Sequence, residues 1–351
     1  MRSLLAVAGA LLLSACGQHA VPPAAGSAPA PSVAAPSQGE WVRRVTDGVM
    51  GTRITVELWS DDRARAEAAI DAVLDQMHHV DDVMSTYKPE SEISQVNARA
   101  AQGPMNISKE LFDLLVTAKE YSVLTDGAFD ITYASVGYLY DFRKHQRPDE
   151  KQIKRALPAV SYRHIILDTA AQTVKFSQPG VRIDLGGIAK GYAVDRGIDA
   201  LKARGVTRAY VGAGGDSRIL GDRFGKPWMV GIRDPQKGEG EVITRIPLTD
   251  AAISTSGDYE RFFDEDGVRY HHIIDPHTGH SASKVRSVTI IGPYATRTDG
   301  LSKTAFVLGP EKAMEIYNRI DDIDAVIVRL DGSVIYSKGI APAQAVPPRP
   351  Q

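Results

Sequence analysis

The chain has 351 residues, of which 43% are hydrophobic and 24% charged, and its formal net charge at pH 7 is −2. This composition is ordinary for a globular protein with a substantial core. Because the chain is nearly neutral and has no long basic run, we do not expect a nucleic-acid surface, and any phosphate site must be local.

The N-terminus carries a targeting signal. A short apolar run at residues 4–13 is followed by small side chains and then by Cys16, the single cysteine of the chain. This order resembles a bacterial lipobox, so residues 1–15 are predicted to be a signal peptide and Cys16 the lipidated first residue. A stray buried thiol is the alternative interpretation of Cys16, and its position after an apolar leader favours lipidation.

Two segments have the composition of linkers. Residues 16–39 are mostly Ala, Pro, Gly and Ser, which predicts a flexible tether, and residues 340–351 form a Pro-rich tail. The folded part is then residues 40–339. We expect it to face the periplasm, anchored through Cys16 at the inner membrane.

Three helices are predicted from apolar spacing. Apolar residues recur every three or four positions between residues 61 and 84, which indicates an amphipathic helix after a strand at residues 53–59. Ser108 is the predicted N-cap of a second helix, which ends near residues 125–127. A third helix is predicted over residues 187–205.

The remaining pattern favours an α+β fold with mainly antiparallel sheets and inserted and flanking helices. No G-x-G-x-x-G follows a strand, which argues against a Rossmann fold. A further helix is predicted to begin at Asp299 and to break at residues 309–310. The predicted short strands lie at residues 165–167, 208–211, 229–232, 242–246, 273–274, 285–291, 325–329 and 334–336.

Residues 182–192 pass from a short strand through Gly186 and Gly187 into a helix with Lys190 in its first turn. Glycines permit close backbone approach, and free amides at a helix start attract anions, so this segment is a candidate phosphate site. A tight turn with a solvated lysine is the alternative, and the segment alone does not decide between them.

Residues 270–279 contain three histidines and one aspartate. Metal binding is the obvious interpretation, yet consecutive residues of a strand face opposite ways, so His271 and His272 are not expected to share a metal. One of them is expected to face the site as a proton acceptor. A surface hairpin with incidental histidines is the alternative. Similarly, Asp299 is either a helix cap or an oxygen ligand for Mg²⁺.

In their order along the chain, eight segments resemble the ApbE family of FAD:protein FMN transferases, which implies a T-fold-related architecture of two subdomains for residues 40–339. The matching segments are residues 50–52, residues 84–97, residues 125–132, residues 184–195, residues 214–216, residues 254–259, residues 272–279 and residues 299–309.

The resemblance also implies site residues. His272 would be the general base, and Asp299 would serve both catalysis and the metal. Mg²⁺ would be held by the carbonyl of Gly187, the carboxylate of Asp299 and groups of Ser302 and Lys303. The implied FAD contacts are Met50, Tyr87, Ala128, Phe129, Asp130, Asp184, Lys190 and Ile274. The family often has a threonine where this chain has Lys303, and an ammonium cannot ligate Mg²⁺.

The implied reaction moves FMN from FAD to a serine or threonine hydroxyl of an acceptor protein, with release of AMP. The implied acceptors are exported subunits of membrane redox complexes, such as Na⁺-translocating quinone reductase, with an Asp-Gly-x-Ser/Thr-Gly-Ala-Thr-like motif. Two alternatives stay open: Mg²⁺-dependent hydrolysis of FAD to FMN and AMP, and a non-catalytic FAD-binding lipoprotein.

Overall fold

The computed structural model describes residues 38–237 and 240–340, so the predicted signal peptide, most of the tether and all but the first residue of the tail lie outside it. The strands are β1 (Glu40–Val49), β2 (Thr52–Ser60), β3 (Met105–Asn106), β4 (Ile165–Asp168), β5 (Thr173–Phe176), β6 (Ala209–Ala213), β7 (Asp216–Leu220), β8 (Trp228–Arg233), β9 (Val242–Leu248), β10 (Ala252–Gly257), β11 (Phe262–Glu265), β12 (Val268–His271), β13 (Ser287–Gly292), β14 (Asp324–Val328) and β15 (Val334–Tyr336). The α-helices are α1 (Arg63–Met84), α2 (Glu92–Arg99), α3 (Lys109–Leu124), α4 (Ala134–Gly137), α5 (Glu150–Ala156), α6 (Ala189–Lys202), α7 (Ala295–Leu301), α8 (Thr304–Leu308) and α9 (Pro310–Tyr317).

The central element is an eight-stranded sheet in the order β1-β2-β6-β7-β10-β13-β14-β15, with every neighbouring pair antiparallel. Smaller sheets are formed by β3-β5-β4, by the hairpin β8–β9 and by the hairpin β11–β12. The predicted α+β class is confirmed. Within the described residues, no helix has both the length and the apolar character that crossing a membrane requires.

Both faces of the central sheet are covered. Side chains alternate between the faces of a strand, so Ala252 of β10 joins the core under α1, α3 and α6, whereas Ile253 packs with Trp228 and Leu248 of the β8–β9 hairpin. Because both faces are covered, β13 is buried along its whole length. The inner strands therefore lack the alternation of polar and apolar residues that marks a half-exposed strand.

The long helices form where the apolar spacing predicted them. The side chain of Asp62 caps α1 by accepting from the amide of Arg65 at 3.1 Å, and Ser108 caps α3 through the amide of Leu111 at 3.2 Å. Helix α1 packs on α6 at Gly197, where a Cβ would lie 2.9 Å from Val73. These contacts fix α6, whose N-terminus carries the candidate phosphate segment.

Two sequence-based expectations differ from the structure at chain segments near the site. The strand that carries the histidines ends at His271, and Ile274 makes only an isolated bridge with Ser281. Asp299 does not begin a helix, because α7 starts four residues earlier, at Ala295. Asp299 therefore lies inside α7 and is no N-cap. In addition, β1 forms a hairpin with β2 that the sequence did not indicate.

Gly191 determines how closely α6 and α7 approach. A Cβ at this position would overlap the carbonyl group of Ala295 and would lie 2.8 Å from the Cβ of Asp299. Only glycine permits this contact. As a result, the first turn of α6 and the middle of α7 share one polar region.

Candidate active site

The turn that leads into α6 is shaped by Asp184. Its Oδ1 accepts from the amide of Gly186 at 2.8 Å and from the hydroxyl of Tyr133 at 2.9 Å, and its Oδ2 accepts from Thr86 at 2.9 Å. Burial, followed by the charge of Asp184, raises the pKa of Tyr133 well above its usual value, so the phenol stays a donor. The Asp184 carboxylate thus holds the turn in place.

Asn97 holds the same segment from α2. Its side chain donates to the carbonyl of Ile183 at 2.8 Å and accepts from the amide of Ile183 at 2.8 Å. The sequence placed Asn97 among the matched segments without a role, and Tyr133 only in a stretch that departs from the family pattern. Neither pairing has a local signal, because the partners are 86 and 51 residues apart.

Four charged side chains, Lys190, Asp216, Asp299 and Lys303, meet where α6 crosses α7, and we call them the charged quartet. Lys190 forms an ion pair with Asp216, and its Nζ lies 3.6 Å from Oδ2 of Asp299. Lys303 forms an ion pair with Oδ1 of Asp299 and donates to the carbonyl of the same residue at 2.8 Å. The amide of Gly191 donates to Oδ2 of Asp299 at 3.1 Å.

Charge balance makes this burial tolerable, since both carboxylates are almost fully buried and each has an ammonium partner. For Asp299, burial opposes ionisation, but Lys190, Lys303 and the Gly191 amide outweigh it and lower the pKa. Burial and the charge of Asp299 raise the pKa of Asp216. Burial also opposes the charge of Lys190, yet Asp216 and Asp299 raise the pKa of this lysine.

Hydroxyl pairs dock α7 on β10. Ser254 bonds to Thr298 at 2.8 Å, and Ser256 bonds to Ser302 at 2.7 Å. The hydroxyl of Ser302 also donates to the carbonyl of Asp299 at 2.7 Å. These pairs explain why β10 carries small polar residues while being buried, and they fix the position of Asp299.

The two histidines have different surroundings. His271 is 1% exposed, accepts from the amide of Ile273 at 3.3 Å through Nδ1 and packs against Phe306. Burial lowers its pKa to about 4. His272 is half-buried, and its Nδ1 is sealed from solvent without a partner.

The charges of Lys190 and Lys303 in the quartet act on the imidazole of His272. Burial first, then the charges of its cationic neighbours, lower its pKa to about 3. The neighbours include Lys190 and Lys303 as well as Arg261, which the sequence analysis did not identify. The ring is therefore neutral at pH 7 and can accept a proton.

Arg261 links the β1–β2 turn to the histidine. Its guanidinium donates to the carbonyl of Gly51 at 3.5 Å, and its own carbonyl accepts from the amide of His272 at 3.0 Å. Met50, a predicted FAD contact, lies in this turn with φ of 52°. The exposed Arg261 follows the matched segment at residues 254–259 by two positions, which was the only signal for it in the sequence.

The other predicted FAD contacts are placed unevenly. The side chain of Phe129 lies beside the site, since a Cβ on Gly187 would be 3.4 Å from its ring and 3.7 Å from Cε of Lys303. Tyr87 is 83% exposed next to the residue that bonds Asp184. Ala128 and Ile274 are buried in two separate apolar clusters.

Asp130 is engaged within the fold. Its carboxylate accepts from the amide and hydroxyl of Thr132 at 2.8 and 2.6 Å and from the amide of Tyr162 at 2.6 Å. Burial raises its pKa against these donors. The structure thus shows Asp130 as a cap for the turn after Phe129, and its role toward FAD stays a prediction.

The predicted metal residues Asp299, Ser302 and Lys303 lie together with Gly187, but the side-chain atoms of Asp299 and Ser302 are engaged within the protein. Both oxygens of Asp299 face lysine ammonium groups, and Ser302 bonds to Asp299 and Ser256. Lys303 donates and offers no lone pair. Within residues 38–237 and 240–340, no group of three or more His, Cys, Asp or Glu side chains is arranged to hold a metal. This arrangement does not fit Mg²⁺, which requires several oxygen ligands.

A cavity of about 630 Å³ lies on the other side of α7, between α3 and α6, and none of the predicted site residues lines it. Charge and polar donors, rather than a deep hollow, mark the candidate site. We therefore place the chemistry at the charged quartet and His272.

Known proteins share this fold and sequence. The ApbE family model matches residues 50–327. A FAD:protein FMN transferase of Treponema pallidum is 34% identical over 310 residues, which cover 83% of this chain and 86% of that protein. The crystal structure of the ApbE protein from Thermotoga maritima is 34% identical with a TM-score of 0.78, over 86% of this chain and 98% of the other.

The apo form of the flavinyl transferase ApbE from Pseudomonas stutzeri is 30% identical, with a TM-score of 0.76 over 86% of this chain and 96% of that one. The family model alone spans most of residues 38–340 that fold around the site. This chain belongs to the ApbE family.

Proposed function

We propose that this chain is an enzyme that transfers FMN from FAD to a protein. Relatives that carry this activity in their names are 30–34% identical to it over most of its length. The observation that carries the proposal is the charged quartet at the start of α6, where the ammonium groups of Lys190 and Lys303 lie beside the buried carboxylate of Asp299. Cations at a helix N-terminus suit a pyrophosphate, and a neutral imidazole suits a hydroxyl that must lose its proton.

The residues then divide the work. Lys190 and Arg261 bind the phosphate oxygens of FAD, while Asp216 and Asp299 fix the direction of the lysines. Because the cations lower the pKa of His272, a bound dianionic pyrophosphate that offsets their charge raises it again. His272 is thereby a stronger base when FAD is present than in the free protein.

In the proposed step, His272 takes the proton of a serine or threonine hydroxyl of the acceptor. The hydroxyl oxygen forms a bond to the FMN phosphorus, the bond between that phosphorus and the bridging oxygen breaks, and AMP leaves with the bond's electrons. FMN remains on the acceptor as a phosphoester. We propose that acceptors carry an Asp-Gly-x-Ser/Thr-Gly-Ala-Thr-like motif and belong to exported subunits of quinone reductase or related complexes.

The proposal includes a place in the cell. The run at residues 4–13 before Cys16 supports lipidation of that cysteine and exposure of the enzyme to the periplasm. An enzyme held at the inner membrane would meet the exported domains of membrane redox complexes. Labelling of the chain with an azide-tagged fatty acid, lost in Cys16→Ser, tests the anchor.

One incubation separates transfer from the two alternatives. Purified chain is mixed with FAD and an acceptor domain that carries the motif. Transfer gives in-gel flavin fluorescence on the acceptor, hydrolysis gives free FMN and AMP, and a storage protein leaves FAD unchanged. An acceptor that stays unmodified in the presence of folded, FAD-bound chain contradicts the proposal.

The Mg²⁺ dependence that the resemblance implies is not carried into this mechanism. A divalent ion bound with FAD would polarise the pyrophosphate. However, the donor set around Asp299 does not fit it, because Lys303 holds the carboxylate oxygen that such an ion would need.

A further inference from the structure

Every acceptor atom of Asp299 has a partner from the protein. Its Oδ1 and its carbonyl bind the ammonium of Lys303, while Oδ2 binds the amide of Gly191 and faces Lys190 at 3.6 Å. The carboxylate is 0% exposed. A ligand for a metal ion would instead present an open oxygen toward the substrate.

Lys303 is fixed in this position. Its side chain is 16% exposed, and its Cε lies 3.7 Å from the point where Gly187 would carry a Cβ, so the stem fills the space between the α6 turn and α7. Lys303 lies four positions after Asp299, between the end of α7 and the start of α8, and its side chain reaches back to the carboxylate. A divalent ion on the same oxygen would meet the ammonium at close range, where like charges repel strongly in a buried site.

We infer that the ammonium of Lys303 is the resident cation of this site and replaces a divalent metal at Asp299. The inference rests on the proposed function, because it assigns the cation that faces the FAD pyrophosphate. An ammonium has three donors. Asp299 takes two of them through its carbonyl and Oδ1, which leaves one for a phosphate oxygen.

Binding of Mn²⁺, followed by electron paramagnetic resonance on the purified FAD-free chain, tests the inference without reference to activity. The wild-type chain is expected to bind no stoichiometric Mn²⁺ at submillimolar concentration. Lys303→Thr removes the ammonium and adds an oxygen, so it should gain one Mn²⁺ per chain with at least tenfold higher affinity than the wild type. Stoichiometric binding by the wild-type chain that Asp299→Asn abolishes overturns the inference.

Lys284→Thr is the matched control. Lys284 is exposed and also donates to a backbone carbonyl, that of Val307 at 2.6 Å, but it has no carboxylate partner among the ion pairs of the described residues. This variant should bind no Mn²⁺. Circular dichroism checks that each variant is folded, and the wild-type measurement alone decides the question if Lys303→Thr fails to fold.

FMN transfer after exhaustive treatment with EDTA gives the second readout. After this treatment the rate of the wild-type chain should change by less than about twofold. The rate of Lys303→Thr should rise at least tenfold when Mg²⁺ is added back. A wild-type rate that EDTA abolishes and Mg²⁺ restores refutes the inference but leaves the transferase function standing. Absence of transfer with and without metal refutes the function instead, while the Mn²⁺ measurement still reports on Lys303.

Discussion

Helices α6 and α7 share two buried charge clusters that serve different purposes. The first is the charged quartet, and the second, which we call the clamp, pairs Asp195 with Arg218 at 2.8 Å. In the clamp, Asp195 also accepts from the amides of Ala295 and Thr296 at 3.0 and 2.8 Å and from the hydroxyl of Thr296 at 2.6 Å. One aspartate thus caps α7 from another helix.

The two clusters differ in whether their charged side chains remain accessible to a ligand. In the clamp, every contact of Asp195 serves the fold, and the guanidinium of Arg218 also lies 4.6 Å from the ring centre of Tyr294. In the quartet, two lysine side chains are partly exposed, and their charges lower the pKa of the half-buried His272 in addition to burial. The contacts of the clamp lie within the protein, whereas the lysines of the quartet are partly exposed and can also bind an anionic substrate.

The largest expected effect is on stability, from the clamp. Asp195→Ala leaves Arg218 buried without its carboxylate and removes the cap of α7, so the free energy of unfolding should fall by about 3–5 kcal/mol. Urea unfolding followed by circular dichroism measures the change. Adding Arg218→Met should recover part of the loss, since no unpaired charge then remains. A loss below about 1 kcal/mol in the single variant would show that the clamp is not structural.

The next effect is on catalysis, from His272. Removal of a general base lowers rates by about 10²–10⁴-fold, so His272→Ala should reduce kcat for FMN transfer by that factor. FAD affinity, measured by isothermal titration calorimetry, should change less than about threefold. His79→Ala is the control, because His79 is an exposed histidine that pairs with Glu110 and is not a member of the quartet. Transfer that survives in His272→Ala assigns the base elsewhere.

A smaller effect is expected on FAD binding. Lys190→Met removes one phosphate-facing ammonium and should weaken FAD binding about 10–100-fold, which corresponds to about 1.4–2.7 kcal/mol. Lys202→Met, in the last turn of the same helix and exposed, should leave the affinity unchanged. Equal affinity for FAD in both variants would place the pyrophosphate away from the start of α6.

The clamp also explains what the sequence could and could not predict. Helices α1 and α3 follow from local spacing and from caps three residues away, at Asp62 and Ser108. The predicted start of α7 was wrong because the residue that caps this helix, Asp195, lies 100 residues earlier in the chain. Sequence rules for helix starts consider only neighbouring residues. The start of α7 therefore depends on a tertiary contact that the local sequence does not indicate.

The site divides in the same way. Lys190 and Asp299 were found because matched segments contain them, and the substitution at Lys303 was visible in the chain. Arg261 was missed, because an arginine in a loop has no distinctive spacing and reaches the site only through the β11–β12 hairpin and its contact with Gly51. The pairing of Lys303 with Asp299 was not predicted, because the sequence analysis considered Lys303 only as a replacement for a metal-ligating threonine.

The smallest expected effect is the pH dependence of stability, which we assign to the two histidines and not to the clamp. The folded pKa values of His271 and His272, about 4 and about 3, lie below the ordinary value of about 6.5. Below pH 6.5 the unfolded chain therefore binds protons that the folded chain excludes, so this stabilisation is present above pH 6.5 and is lost progressively as the pH falls. Each histidine contributes at most about 1.4 kcal/mol per pH unit.

Urea unfolding of wild type and His272→Asn between pH 7 and pH 5 measures this dependence. The variant should have a shallower slope, by up to about 1 kcal/mol per unit, because one excluded proton is gone while the carboxylates that also titrate are unchanged. Saturating FAD should also make the pH dependence of the wild-type unfolding free energy shallower, because its phosphates offset the cations that help to keep His272 neutral. If FAD leaves this pH dependence unchanged, His272 does not lie at the phosphate site.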